Sequence, residues 1–279
     1  MGSLASAVST SGVLRCTFSR HMPSLRSVAN AGHAVAWTVF MCSVAVPLYA
    51  VRRDRLQFQR MQRFWAEKLA LAWGMQVSAH GIEQLDPSQT YVFMANHLSH
   101  ADIVALFVAL PRNVGFLAKK ELSKVPFLSG AIYAGGHVLI DRKDNTSAVS
   151  SMSQAAADVS AGNSLVIFPE GTRAGAEVIQ PFKKGGFHLA RQANVAVVPV
   201  GIRGTRRVMG KEDLTIRPGK VSVHVGAPVR VTDFENALVC SEYVRARMSE
   251  LAAMPLSSSS KAPRDSLMPA DAAGVATRT

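Results

Sequence analysis

The sequence predicts an α/β domain, with a mostly parallel central sheet flanked by helices and N-terminal membrane-associated helices ahead of it. Three observations predict this. From about residue 75, short β-rich runs alternate with helical ones, the order that builds a parallel sheet. An uncharged run of 18 residues, 34–51 (AVAWTVFMCSVAVPLYAV), precedes them. Arg52, Arg53 and Arg55 close that run, and an amphipathic stretch follows.

The 279 residues are 48% hydrophobic, enough for one large domain with appendages, which excludes a globally disordered chain. Cys16, Cys42 and Cys240 stand far apart and form no C-x-x-C, which argues against a disulfide framework and a thiolate zinc site. The net charge of +12 favours an anionic partner: nucleic acid, a phosphorylated substrate or an acidic lipid surface. Composition does not choose among them.

Residues 1–29 read as a disordered leader, Ser-rich, with Arg15, Arg20 and Arg26 and no acidic residue before Asp54. A transit peptide, or myristoylation at Gly2 with Ser6, ranks below this reading. Residues 30–74 read as a membrane-associated helical segment. The uncharged run sits at the lower edge of a spanning helix. A buried or interfacial helix is the alternative, and Pro47 weakens a straight span. Basic residues are denser after the run than before it, so a spanning helix would put the following domain on the cytoplasmic side. Over 56–74, Phe58, Met61, Trp65, Leu69 and Ala72 recur at helical spacing with Arg60, Arg63 and Glu67 between them. Such a helix packs on the core or lies among lipid headgroups.

The domain spans 75–254. Strands are predicted over 91–95, 114–117, 137–140, 165–168, 195–202 and 221–225, and helices over 101–110, 146–161, 185–192 and 234–251. The tail, 255–279, is poor in large apolar residues and reads as disordered.

Chemistry gathers just after strand ends, where sheets of this kind bind ligands. After 91–95 come Asn96, His97, Leu98, Ser99, His100, Ala101 and Asp102. A carboxylate in the first helical turn can fold back onto His97, fix its tautomer and leave the other nitrogen to take a proton. Taken alone, Ser99 and Asp102 read better as a capping box, with His97 a turn residue. A third reading makes His97, His100 and Asp102 metal ligands. After 165–168 come Pro169, Glu170, Gly171, Thr172 and Arg173, a turn that exposes backbone N–H groups beside a guanidinium suited to phosphate. Lys119, Lys120, Arg142, Lys183 and Lys184 also follow strand ends or open helices. Their repetition suggests an anion-binding rim.

Asn96-His97-x4-Asp102, the Arg142 strand end, the run Phe168 to Arg173 and Val198-Pro199-Val200 stand in the order of the four blocks of the glycerolipid acyltransferase family. The chain most resembles its 1-acyl-sn-glycerol-3-phosphate acyltransferase branch, over roughly residues 77–251. The resemblance implies the fold of that family. It implies transfer of an acyl group from acyl-CoA or acyl-carrier protein to the free hydroxyl of lysophosphatidate, giving phosphatidate in phospholipid biosynthesis. On this resemblance His97 is the base and Asp102 its orienting partner. Glu170, Gly171, Thr172 and Arg173 bind the acceptor, Lys119 and Arg142 contact phosphate, and Pro199 is structural or lies near the acyl chain. Backbone N–H groups near Gly171 are the candidates for holding the developing oxyanion. No cofactor beyond the acyl donor, no metal and no nucleic acid is implied. The implied partners are donor, lysophosphatidate and anionic membrane lipid, at a bacterial inner membrane or an organelle membrane. A different lysolipid or glycerol-3-phosphate as acceptor, and a metal-dependent hydrolase, are the alternatives.

Overall fold

The computed structural model describes residues 25–111, 114–141, 144–175, 177–210 and 215–257. Two helices come first, α1 (Leu25–Arg52) and α2 (Arg55–Trp73). They are separated by a sharp corner in which Arg53 adopts φ +54°. Asp54 caps α2 by accepting the Gln57 N–H at 2.9 Å. Gly74, at φ +67°, ends it, in the left-handed conformation that favours glycine. The helices are pinned together by Trp65 Nε1 donating to Thr38 Oγ1 at 3.0 Å and Trp37 Nε1 donating to Trp65 O at 3.3 Å. Helix α1 begins at Leu25, inside the expected leader, and runs unbroken through Pro47. The remainder of that leader, 1–24, lies outside the described residues.

The α/β domain follows as β1 (Met75–His80), β2 (Tyr91–Ala95), α3 (Ala101–Ala109), β3 (Val114–Lys119), α4 (Leu128–Ala134), β4 (Val138–Ile140), α5 (Asn145–Ser160), β5 (Ser164–Ile167), α6 (Gly185–Gln192), β6 (Ala196–Arg203), α7 (Thr205–Val208), β7 (Gly219–Val225) and α8 (Ala237–Ala252). The seven strands form one sheet in the order β1-β7-β6-β2-β5-β3-β4. From β6 to β4 every pair is parallel. Only β6 and β7 pair antiparallel, and β1 runs parallel to β7. The C-terminal ends of β6, β2, β5, β3 and β4 therefore share one edge.

Strand β2 shows why the sequence folds this way. Tyr91, Phe93 and Ala95 pack into the core under α2 and α3, while Val92 and Met94 pack into the core under α5, α6 and α8. A strand covered on both faces reads as continuous hydrophobicity, and all five residues are buried. Strand β1 is the opposite case. It lies at the sheet edge, largely exposed, and its mixed MQVSAH composition carried no strand signal. Helix α4 was also unforeseen; its Gly- and Ala-rich run is short, and it forms by packing Ala131 and Ala134 against Ala45 and Phe58 of the N-terminal hairpin. The expected helix over 234–251 starts three residues later, where Asn236 accepts the N–H groups of Leu238 and Val239.

The start of the expected disordered tail is ordered. Ile179 N–H donates to Pro255 O at 2.9 Å and Ser257 N–H to Ile179 O at 3.0 Å, a short parallel pairing. The rest of that tail lies outside the described residues.

Candidate active site

The site begins where β2 leaves the sheet. Asn96 is fully buried. Its Nδ2 donates to Ile202 O at 3.0 Å and its Oδ1 accepts the Ile202 N–H at 2.7 Å. This pair copies a ladder rung and ties the turn to β6. His97 then emerges with its side chain 16% exposed, and its Nδ1 lies 2.8 Å from Oδ2 of the wholly buried Asp102. A ring nitrogen facing a carboxylate carries the proton, so a neutral imidazole keeps Nε2 as its acceptor.

Asp102 holds more than the ring. The same Oδ2 accepts the N–H groups of Leu98 at 2.8 Å and Ser99 at 2.9 Å. Ser99 Oγ accepts the Ala101 N–H at 3.0 Å. Capping and orienting are thus two duties of one carboxylate. The cap fixes the carboxylate, and the carboxylate fixes the imidazole. Among the described residues no three His, Cys, Asp or Glu side chains converge as a metal site.

Phe168 backs the imidazole, its ring stacked at 3.9 Å and 16°. The chain leaving β5 then turns at Gly171, φ +79°, where a Cβ would lie 2.7 Å from Cε of Lys183. The conformation demands glycine, whereas the flexible end of Lys183 could move aside. The Gly171 N–H donates to Phe168 O at 3.0 Å. That amide closes the turn, so it is not among the N–H groups spare for an oxyanion.

Glu170 points inward. Its Oε1 accepts the His97 N–H at 3.1 Å and its Oε2 accepts the Gln180 N–H at 3.0 Å. Burial pushes its carboxyl above the usual range, opposed by those two donors. The Ala174 N–H also donates to His97 O at 2.9 Å. Both peptide groups of His97 are therefore held by the neighbouring turn. Thr172 is exposed on that turn and Arg173 half-buried. His100 sits below the ordinary histidine range through burial first, then through the positive charges of Arg173 and His97.

Lys119, the exposed last residue of β3, stands two strands from β2, about 10 Å at normal strand spacing. It pairs in register with Ile140. Arg142 lies outside the described residues. Lys120 is held by Asp141 at 3.5 Å. Pro199 is buried in β6 opposite Met94. It stands just before β6 begins to pair with β7 at Val200, where a missing N–H is tolerated.

A family model described as Acyltransferase matches residues 76–203. The chain is 32% identical over 194 residues to the 1-acyl-sn-glycerol-3-phosphate acyltransferase alpha of Ovis aries, covering 69% of this chain and 68% of that protein. The Homo sapiens protein of the same name matches at 32% over 194 residues, covering 69% of each. The chain belongs to the 1-acyl-sn-glycerol-3-phosphate acyltransferase family. Its fold matches the crystal structure of the 1-acyl-sn-glycerophosphate (LPA) acyltransferase from Thermotoga maritima at a TM-score of 0.72 and 24% identity, over 82% of this chain and 94% of that one.

Within this acyltransferase, His97, Asp102, Glu170, Gly171, Thr172 and Arg173 gather on two adjacent strand ends. Sequence reasoning missed Arg245 of α8, whose side chain is 1% exposed. Its Nε donates to Gln180 O at 3.1 Å and its Nη2 to Ile179 O at 3.1 Å and to Ser257 Oγ at 2.9 Å. Its Nη1 meets Glu242 at 3.2 Å. The clue was available: Arg245 falls in the buried stripe of α8, between Ser241 and Met248, where a charge needs a reason.

Proposed function

We propose that the protein transfers a fatty acyl group from a thioester donor, acyl-CoA or acyl-carrier protein, to the free hydroxyl of 1-acyl-glycerol-3-phosphate, giving phosphatidate. The observation that carries this is the 2.8 Å contact between His97 Nδ1 and Asp102 Oδ2, at a strand end bonded to the turn that bears Arg173.

Nε2 of His97 takes the hydroxyl proton as the oxygen attacks the thioester carbonyl. Asp102 stabilises the imidazolium that forms. The tetrahedral species collapses, the C–S bond breaks, and the thiolate leaves with the proton from Nε2. The thioester is already activated, so the scheme needs no cofactor. Arg173 holds the acceptor phosphate one strand from the imidazole, and Lys119, at the end of β3, extends the cationic rim outward. Gripping the phosphate confines the hydroxyl beside the base, and such confinement supplies much of the rate.

An apolar cavity of about 520 Å³ opens between the ends of β3 and β5 and helices α5 and α6, with Leu117, Met152 and Phe168 in its wall. Phe168 also stacks on His97, so this cavity suits an acyl chain whose carbonyl lies at the base. Each buried methylene contributes about 0.8 kcal/mol.

Helix α1, 28 residues or about 42 Å, is long and apolar enough to cross a membrane. It exposes Val35, Val39, Phe40 and Val44 while its other face is bonded to α2. A helix sharing its length with the charged α2 is better placed along one leaflet than across two. Arg52, Arg53 and Arg55 favour the cytoplasmic face of a bacterial inner membrane or an organelle membrane.

Purified protein given labelled acyl-CoA or acyl-carrier protein and a panel of lysolipids, with products read by mass, tests reaction and acceptor together. Phosphatidate from 1-acyl-glycerol-3-phosphate supports the reading. Transfer only to another acceptor, or hydrolysis alone, overturns it.

A further inference from the structure

On the other side of the catalytic turn, where β6 ends, lies a cavity of about 440 Å³ to which the reaction above assigns no role. Leu98, the residue after His97, forms part of its wall. Arg203, Arg207 and Lys220 line it against one carboxylate, Glu177, among the described residues. The three cations come from three elements, β6, α7 and β7. Gly204, φ +92°, brings them together: a Cβ there would lie 2.3 Å from Lys220 O. Arg203 is held in place, its Nε donating to Leu251 O at 2.7 Å and its Nη2 to Glu250 O at 3.2 Å at the end of α8. Its field is felt on β7. Burial, then Arg203, then the stacked His80 hold His224 below the ordinary histidine range. A concave site with surplus positive charge concentrates anions, and guanidinium forks match phosphate oxygens.

We propose that this cavity binds the phosphate end of the acyl donor. The proposal rests on the acyl-transfer reading and adds the donor's site to it. Acyl transfer brings together two phosphate-bearing molecules that cannot share one cation cluster. The acceptor's phosphate lies a few bonds from the reacting hydroxyl and belongs at the Arg173 turn. The donor's phosphate is separated from its thioester by the whole pantetheine arm, so its cations must stand back from His97 yet open onto the same turn. Leu98 gives the cavity that adjacency. The shared chemistry is a phosphate ester on pantetheine, carried either by CoA or by a carrier protein.

The test uses the full chain with the double substitution Arg207→Glu, Lys220→Glu. The KM for acyl-CoA, or for acyl-carrier protein if that is the donor used, should rise about tenfold or more. The KM for lysophosphatidate, and kcat at saturating donor, should stay within twofold. Which donor shows the rise identifies the source of the phosphate. The charge-preserving pair Arg207→Lys, Lys220→Arg should retain most of the donor affinity. Independently of turnover, titrating free CoA into wild-type protein should raise the pKa of the His224 imidazole followed by NMR, and should not do so in the Glu pair. An unchanged donor KM, with no response of His224 to CoA, overturns the proposal. So does an effect confined to lysophosphatidate KM or to sedimentation with anionic vesicles, which would assign the cavity to acceptor or headgroup. Wild-type protein that transfers no acyl group from either donor sinks the functional reading instead, and the CoA titration still decides whether the cavity takes phosphate.

Discussion

Oδ2 of Asp102 receives three N–H groups, from Leu98, Ser99 and the His97 ring. The spacing of five between His97 and Asp102 made that arrangement legible in the sequence, because one tight turn lets only a few geometries form. Arg173 follows the neighbouring strand end, on the turn bonded to His97. Its removal, Arg173→Ala, should raise the lysophosphatidate KM about tenfold or more while leaving the donor KM unchanged. Steady-state kinetics with each substrate varied in turn check this. Glu170 was read as an acceptor ligand, and the structure turns it onto backbone amides instead. Its partners lie 73 and 10 residues away, and no local pattern reveals bonds to distant main chain. An amide can accept one of those N–H groups through its oxygen but meets the other with an NH₂. Glu170→Gln should therefore lower kcat about tenfold, with smaller effects on either KM, since a broken buried hydrogen bond costs about 1–3 kcal/mol.

Elements are joined through side chains that serve no substrate. Arg245 links α8 to residues 179–180 and Ser257, residue 180 donates to Glu170, and Glu170 holds His97. Replacing Arg245 with Met strands several carbonyls in the interior. We expect a loss of roughly 3–5 kcal/mol in stability and a fall in kcat at temperatures where the protein remains folded. Arg245→Lys should restore part of both, as thermal melts and kinetics on the same samples would show. A second link joins the N-terminal hairpin to the sheet. The Phe116 N–H donates to Nδ1 of His137 at 3.0 Å, which leaves the ring proton on Nε2. The amide end of Gln62 of α2 lies 2.7 Å from that nitrogen, so the amide oxygen is the atom that must face it. Removal from water pushes the His137 pKa down to about 4. The folded value lies below the unfolded value near 6.5, so the unfolded chain takes the proton first. The contribution is complete above pH about 6.5 and is lost as pH falls toward 4, on the order of 2 kcal/mol once residual solvent contact is discounted. Thermal melts at pH 7 and 4.5 should show a smaller acid loss in His137→Gln than in wild type. An equal loss would remove His137 as its source.

The whole molecule places a catalytic edge beside an apolar surface. Two adjacent ends among five parallel strands carry the dyad and the Arg173 turn, and the α1–α2 hairpin, tied to the same domain, exposes Val35, Val39, Phe40, Val44 and Phe64. Most of this architecture was legible, because strands covered on both faces and amphipathic helices leave strong patterns. The edge strand β1 and the reversal at β7 were not, since no period within a strand encodes its pairing direction. The dyad remains the point on which everything else turns. The most direct measurement is acyl transfer to 1-acyl-glycerol-3-phosphate by wild type and His97→Ala, with acyl-CoA and acyl-carrier protein both supplied and folding checked by thermal melt. We expect phosphatidate from the wild type and a loss of about 10²–10⁴ in rate for the variant at an unchanged melting temperature. A folded His97→Ala protein that turns over at near wild-type rate would contradict it.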